Sequence, residues 1–156
     1  MRQLGRVLAL LAVMLAAGCT PFSTESVTEL PDFDRVYYVL FQDDPGLASD
    51  RIFMKALEIG KVIGLKPTQQ GVKVAKISID AKYADLMRDN VVFMVEDGRL
   101  EYEPVGDNGA PLGEGGKILG FSSRTGFYWF KAQNSVRGMS RAAMEKAEEL
   151  YNRSLE

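Results

Sequence analysis

Any chemistry in this chain must proceed without histidine. Its 156 residues contain none, and they contain one cysteine, Cys19. That removes the commonest general base and the commonest metal ligand. Ser-His-Asp triads and Cys/His zinc sites are excluded with it. Carboxylates remain. Asp43 and Asp44 are neighbours, and Glu101 and Glu103 stand two apart. Paired-carboxylate catalysis needs two groups whose environments push their pKa values apart. Adjacent residues, or residues two apart on one solvated strand face, share an environment and belong to ordinary surface. No nucleophile–base pair is visible. The expectation is a protein that is not an enzyme, with no cofactor and no metal site.

Cys19 offers a different chemistry. Residues 7–17 are eleven apolar residues, with Arg2 and Arg6 in front and Gly18 and Cys19 behind. A basic start, an apolar stretch and a small-residue cleavage site make the layout of a secretory signal peptide. The stretch is short of the roughly 20 apolar residues that span a bilayer. The run Leu15-Ala16-Ala17-Gly18-Cys19 resembles the lipobox of bacterial lipoproteins. The resemblance implies that the Cys19 thiol takes a diacylglycerol, that the chain is cut before it, and that the new amine is acylated. Cys19 is then the membrane anchor. Thr20 stands where an aspartate would retain such a protein in the inner membrane, which implies a periplasm-facing place on the outer membrane. A free cysteine beside an ordinary cleavage site is the plain alternative.

Removing residues 1–18 takes away Arg2 and Arg6 and leaves 17 Lys+Arg against 21 Asp+Glu, a net charge of −4. A mild acidic excess gives no reason to expect nucleic acid. No second cysteine exists to form a disulfide within the chain. The remaining length suits one domain.

Residues 20–33 hold Pro21, Pro31 and five hydroxyl residues, and the pattern predicts a tether over 19–34. Residues 35–41 are β-branched and aromatic, a first strand. Residues 52–54 and 57–62 follow, with Gly60 marking a bulge or a close backbone approach. Residues 72–79 alternate, but the phase changes near Ala75-Lys76, which predicts a bulge or corner. Asp80 is placed to cap a short helix carrying Tyr83, Leu86 and Met87 on one face. Residues 91–95 are uninterrupted apolar, a strand buried on both sides. Asp97-Gly98 is a hairpin signal, and Leu100 and Tyr102 alternate with charges after it. Residues 117–121 and 126–130 predict two more short strands. From Ser140, a candidate N-cap, to Ser154, the residues Ala143, Ala147, Leu150 and Tyr151 repeat at helical spacing. Short strands with glycine-rich turns point to a small barrel or a sandwich.

Gly46-Leu47, Ile52-Phe53-Met54 and Ile59-Gly60-Lys61-Val62 occur in that order within residues 41–62. Downstream come the 72–79 strand, the short helix, the 91–95 run, the glycine hairpin and Pro111-Leu112-Gly113-Glu114-Gly115-Gly116-Lys117-Ile118. This series, over residues 36–121, resembles the MCE domain family of MlaD type. Ala56 stands where that family has a glycine, and the segment 97–102 is shorter and more charged than the family's apolar central loop. The resemblance implies a mainly β fold, a small seven-stranded β-barrel over 35–131, with a C-terminal amphipathic helix over 132–156. It implies a subunit of a ring, typically a hexamer, that binds phospholipid or another apolar molecule with an ABC permease and ATPase. The alternative is a non-transporting binding or assembly lipoprotein that uses the barrel as a scaffold.

Candidate contact residues follow from the same pattern. Leu100 and Tyr102 either face a lipid pathway or pack inward. The aromatic cluster 127–130, above all Phe127 and Trp129, either meets lipid or a partner or packs on the barrel. Leu150 and Tyr151 on the last helix either meet a neighbouring copy or dock on their own domain.

Overall fold

The computed structural model describes residues 34–68, 70–134 and 138–155. The signal segment, Cys19 and the tether through residue 33 lie outside them. The chain forms a closed seven-stranded barrel with a C-terminal helix. The strands are β1 (Arg35–Phe41), β2 (Arg51–Met54), β3 (Leu57–Pro67), β4 (Lys73–Ile79), β5 (Val91–Glu96), β6 (Arg99–Pro104) and β7 (Lys117–Phe121). A 3₁₀ helix, Ala81–Leu86, joins β4 to β5, and two helices follow β7, α1 (Arg124–Gln133) and α2 (Met139–Leu155). Around the barrel the order is β1-β4-β3-β2-β6-β5-β7, and parallel pairing of β7 with β1 closes it.

Alternation fills the interior. Tyr37, Val39 and Phe41 of β1, Ala75, Ile77 and Ile79 of β4, Phe93 of β5 and Leu100 of β6 all point inward into one buried cluster. A barrel this narrow is filled by side chains. The Tyr37 side chain lies within this interior, and burial raises the pKa of its phenol while Arg35 opposes the rise.

One wall of the barrel buries apolar residues on its outer side as well. Leu40, Val92, Met94 and Leu119 face outward from β1, β5 and β7, and α1 and α2 cover them. This is why residues 91–95 lack alternation: Val91, Phe93 and Val95 join the interior cluster, Val92 and Met94 the helix layer. The same cause explains the phase change in β4. Val72 and Val74 face the helix layer, while Ala75 and Ile77 face in. The predicted bulge is not in β4, whose pairing with β1 is regular. It lies opposite, in β3, where Val62 pairs with Ile77 and Gly64 with Lys76, leaving Ile63 as the extra residue. Strand β3 also runs five residues beyond the predicted end at Val62.

Gly60 is a close approach. A Cβ there would lie 2.2 Å from the Ser78 carbonyl oxygen. Asp97 and Gly98 both have positive φ, 51° and 74°, as the two-residue turn of a twisted hairpin requires.

Three local expectations are corrected. Residues 126–130 are helical, within α1. The Ser123 hydroxyl accepts a hydrogen bond from Gly126 N at 3.2 Å and starts the helix. Phe127 and Phe130, three apart, then pack on Phe121 with ring centroids at 5.6 and 5.2 Å. Helix α2 begins at Met139 with Ala142 N donating to Gly138 O, so Ser140 lies in the first turn and does not cap it. Asp80 precedes a 3₁₀ helix and makes no side-chain capping bond.

Candidate functional site

Two places nominated by the sequence can be compared. The first is the β5–β6 hairpin. Leu100 is fully buried inside the barrel, beside Ile52 on β2 and Val95 on β5. Tyr102 is half-buried. Its ring meets Phe93 edge-on at 6.2 Å, its hydroxyl donates to Leu86 O at 3.2 Å, and burial raises its pKa. Both residues therefore take the inward-packing reading. The turn itself does not project. Gly98 O accepts hydrogen bonds from Ala48 N at 2.8 Å and Ser49 N at 3.1 Å, which clamp the tip to the β1–β2 loop.

The carboxylates are also placed. Asp44 accepts from Gly46 N at 3.0 Å and lies 3.7 Å from Lys73 Nζ, the work of a turn residue. Glu101 departs from expectation. It is only 8% exposed, not on a solvated face. Phe53 pairs with it on β2 and Met94 on β5, and these apolar neighbours remove its water. Burial raises its pKa above the ordinary 4.5, the Arg99 guanidinium 3.5 Å away opposes the rise, and Glu96 adds to it.

The sign of the consequence follows. A carboxyl whose folded pKa is raised stabilises the fold below its unfolded pKa, and that contribution is lost as pH rises through the folded value. Glu101→Gln is expected to flatten the fall in stability above about pH 4.5 and to be at least as stable as wild type near neutrality. Urea midpoints across the acid-to-neutral range read this. A variant less stable than wild type at neutral pH would show that the Arg99 pair outweighs desolvation.

The second place is the helix layer. Phe127 is buried under α1, while Tyr128 and Trp129 are 58% and 65% exposed. The aromatic cluster thus splits between packing and surface. Leu150 is buried against the barrel wall, and Tyr151 is half-buried with Lys117 Nζ 3.9 Å above its ring. Helix α2 docks on its own β7 and β1. Of the four residues nominated as an interface, Phe127 and Leu150 are consumed by the domain's own core, and Trp129 is left on the surface.

Between α1, α2 and the end of β7 lies a cleft of about 470 Å³. Leu119, Phe121, Phe130 and Leu150 give it an apolar lining, and Asp43 and Lys146 stand at its edge. Among the described residues no group of three metal-ligating side chains converges. No family model matches this chain, and no curated protein matches it.

The cleft was not foreseen. It arises from the angle between two helices, one of which the sequence pattern assigns to a strand.

Proposed function

We propose that this chain is a lipid-anchored, periplasm-facing envelope protein, an MCE-type subunit of an ABC-type system that moves phospholipid or another apolar molecule. The observation that carries the reading is the role of the residues on which the resemblance rests. Gly46 takes a positive φ of 57°, Gly60 is pressed on the Ser78 carbonyl, and Gly116 packs against Leu112 and Tyr37. Gly120 lies under the Phe41 ring. Gly60, Gly116 and Gly120 are therefore close-packed positions within a closed seven-stranded barrel, the architecture that the resemblance implies. An apolar cargo loses about 0.8 kcal/mol per CH₂ when exposed to water, so a protein path between membranes has a physical purpose. The ring, the outer-membrane location, the ABC permease and ATPase belong to the same proposal.

A second reading, the non-transporting scaffold, has its own support. The interior is filled, and the clamped turn at Gly98 offers no projecting apolar loop. Native mass spectrometry of the full mature chain, with solvent extraction for lipid, separates the two. A ring that co-purifies lipid supports transport. A monomer or a lipid-free assembly supports the scaffold.

A further inference from the structure

The exposed side of α1 carries two exposed aromatic rings, Tyr128 and Trp129. Thr125, Tyr128, Trp129 and Ala132 line one shallow apolar patch, spaced as one stripe of a helix. Two small residues flank two adjacent aromatics and leave them proud. Arg124 and Lys131, four residues before and three after Tyr128, run along the Tyr128 flank of this stripe, and α1 holds no acidic residue.

The charge pattern extends further. Residues 115–144 carry Lys117, Arg124, Lys131, Arg137 and Arg141 and no aspartate or glutamate, in a chain whose net charge is −2. Arg124 is engaged by Glu96 at 2.6 Å. Lys131 Nζ lies 5.9 Å from the centre of the Phe127 ring. Exposed Trp and Tyr with neighbouring basic side chains match the boundary of an anionic bilayer, where rings lie at headgroup level and cations meet phosphate.

We propose that α1 is a membrane-seating face, with Tyr128 and Trp129 inserted at the headgroup boundary of an anionic bilayer and Lys131 on the phosphates. The proposal rests on the lipid-anchored reading of Cys19, which brings the domain to a bilayer. Fourteen residues lie between Cys19 and Asp34, a span of at most about 50 Å, so the anchor holds α1 at high effective concentration near that surface. A weak face then suffices to orient the barrel.

Trp129 is the only tryptophan, so tryptophan emission reports on this one residue, which borders both the stripe and the cleft, and the Tyr128 and Lys131 variants below assign a shift to the stripe. The test uses the mature chain carrying Cys19→Ser, which binds vesicles without help from an anchor. With phosphatidylcholine–phosphatidylglycerol vesicles the emission is expected to shift to the blue, and the shift is expected to reverse in high salt. Phosphatidylcholine vesicles alone are expected to give little. Tyr128→Ser and Lys131→Glu are each expected to weaken vesicle binding by roughly tenfold, while circular dichroism stays that of wild type.

Unshifted emission with the anionic vesicles would overturn the proposal. So would the same shift on raising protein concentration without lipid, which would give the face to a second copy. The mass of the wild-type chain from a lipoprotein-processing host tests the anchor separately. An unmodified Cys19 would end the anchored reading and leave the vesicle result standing.

Discussion

Gly60→Ala is expected to destabilise the barrel by about 3 kcal/mol or more, beyond the usual cost of overpacking. The added methyl would lie 2.2 Å from the Ser78 carbonyl oxygen and 3.0 Å from the Ile79 Cα. Both are backbone atoms of the paired strand, so no side-chain rotation relieves the contact. Strand β3 must move off β4 where Gly60 faces Ile79 and where Asp80 N donates to Ile59 O. The same strand contains the control. At Gly64 the nearest atom to an added Cβ is the Lys76 Cβ at 3.9 Å. Gly64→Ala is therefore expected to change stability by no more than about 1 kcal/mol, with a gain from reduced unfolded-state entropy allowed. Urea unfolding of the two variants reads the difference. Equal stability would mean that β3 and β4 are not so closely apposed at Gly60.

The contrast shows what kind of information the chain carries in readable form. Gly60 was legible as a bulge or a close approach because glycine inside an alternating strand has few other reasons to be there, and it is a close approach beside an irregularity, since Ile52 pairs with Gly60 but Phe53 with Glu58. Strands β1 and β5, the β5–β6 hairpin and α2 were legible because each carries one period or one turn signal. Helix α1 was not. Phe127-Tyr128-Trp129-Phe130 favours a strand by residue type, and two contacts beyond the run decide otherwise: the Ser123 cap and the packing of Phe127 and Phe130 on Phe121. The phase change over residues 72–79 was legible but was assigned to a bulge or corner, whereas it marks two buried faces, the helix layer for Val72 and Val74 and the interior for Ala75 and Ile77. The burial of Glu101 was illegible for a different reason. Phe53 and Met94, which dry it, arrive from β2 and β5, and no spacing within β6 announces them. The candidate surface was half legible. The aromatic cluster was visible, but which rings face outward depended on the helix that the pattern missed.

Leu150→Ala is the second substitution with a large expected effect, a loss of about 2–5 kcal/mol. Helix α2 buries Met139, Ala143, Ala147 and Leu150. Two of these are alanines with little side chain to remove, so Leu150 is the main anchor of the helix's C-terminal half. It is fully buried against the outer wall that Leu40, Val72 and Leu119 share. A helix of this length is marginal without its docking surface, so the variant is expected to lose α2 before it loses the barrel. Hydrogen exchange should then show the α2 amides losing protection at lower urea than the amides of β1 and β4, where wild type shows one transition. Leu155→Ala, at the exposed end of the same helix, is expected to cost less than about 0.5 kcal/mol. The pair decides between two uses of an amphipathic helix. If α2 served chiefly to bundle with helices of neighbouring copies, Leu150→Ala would change the oligomeric mass and leave the single-chain transition in place. Docking on its own barrel predicts the reverse, because the wall beneath α2 is already apolar and has no other described cover.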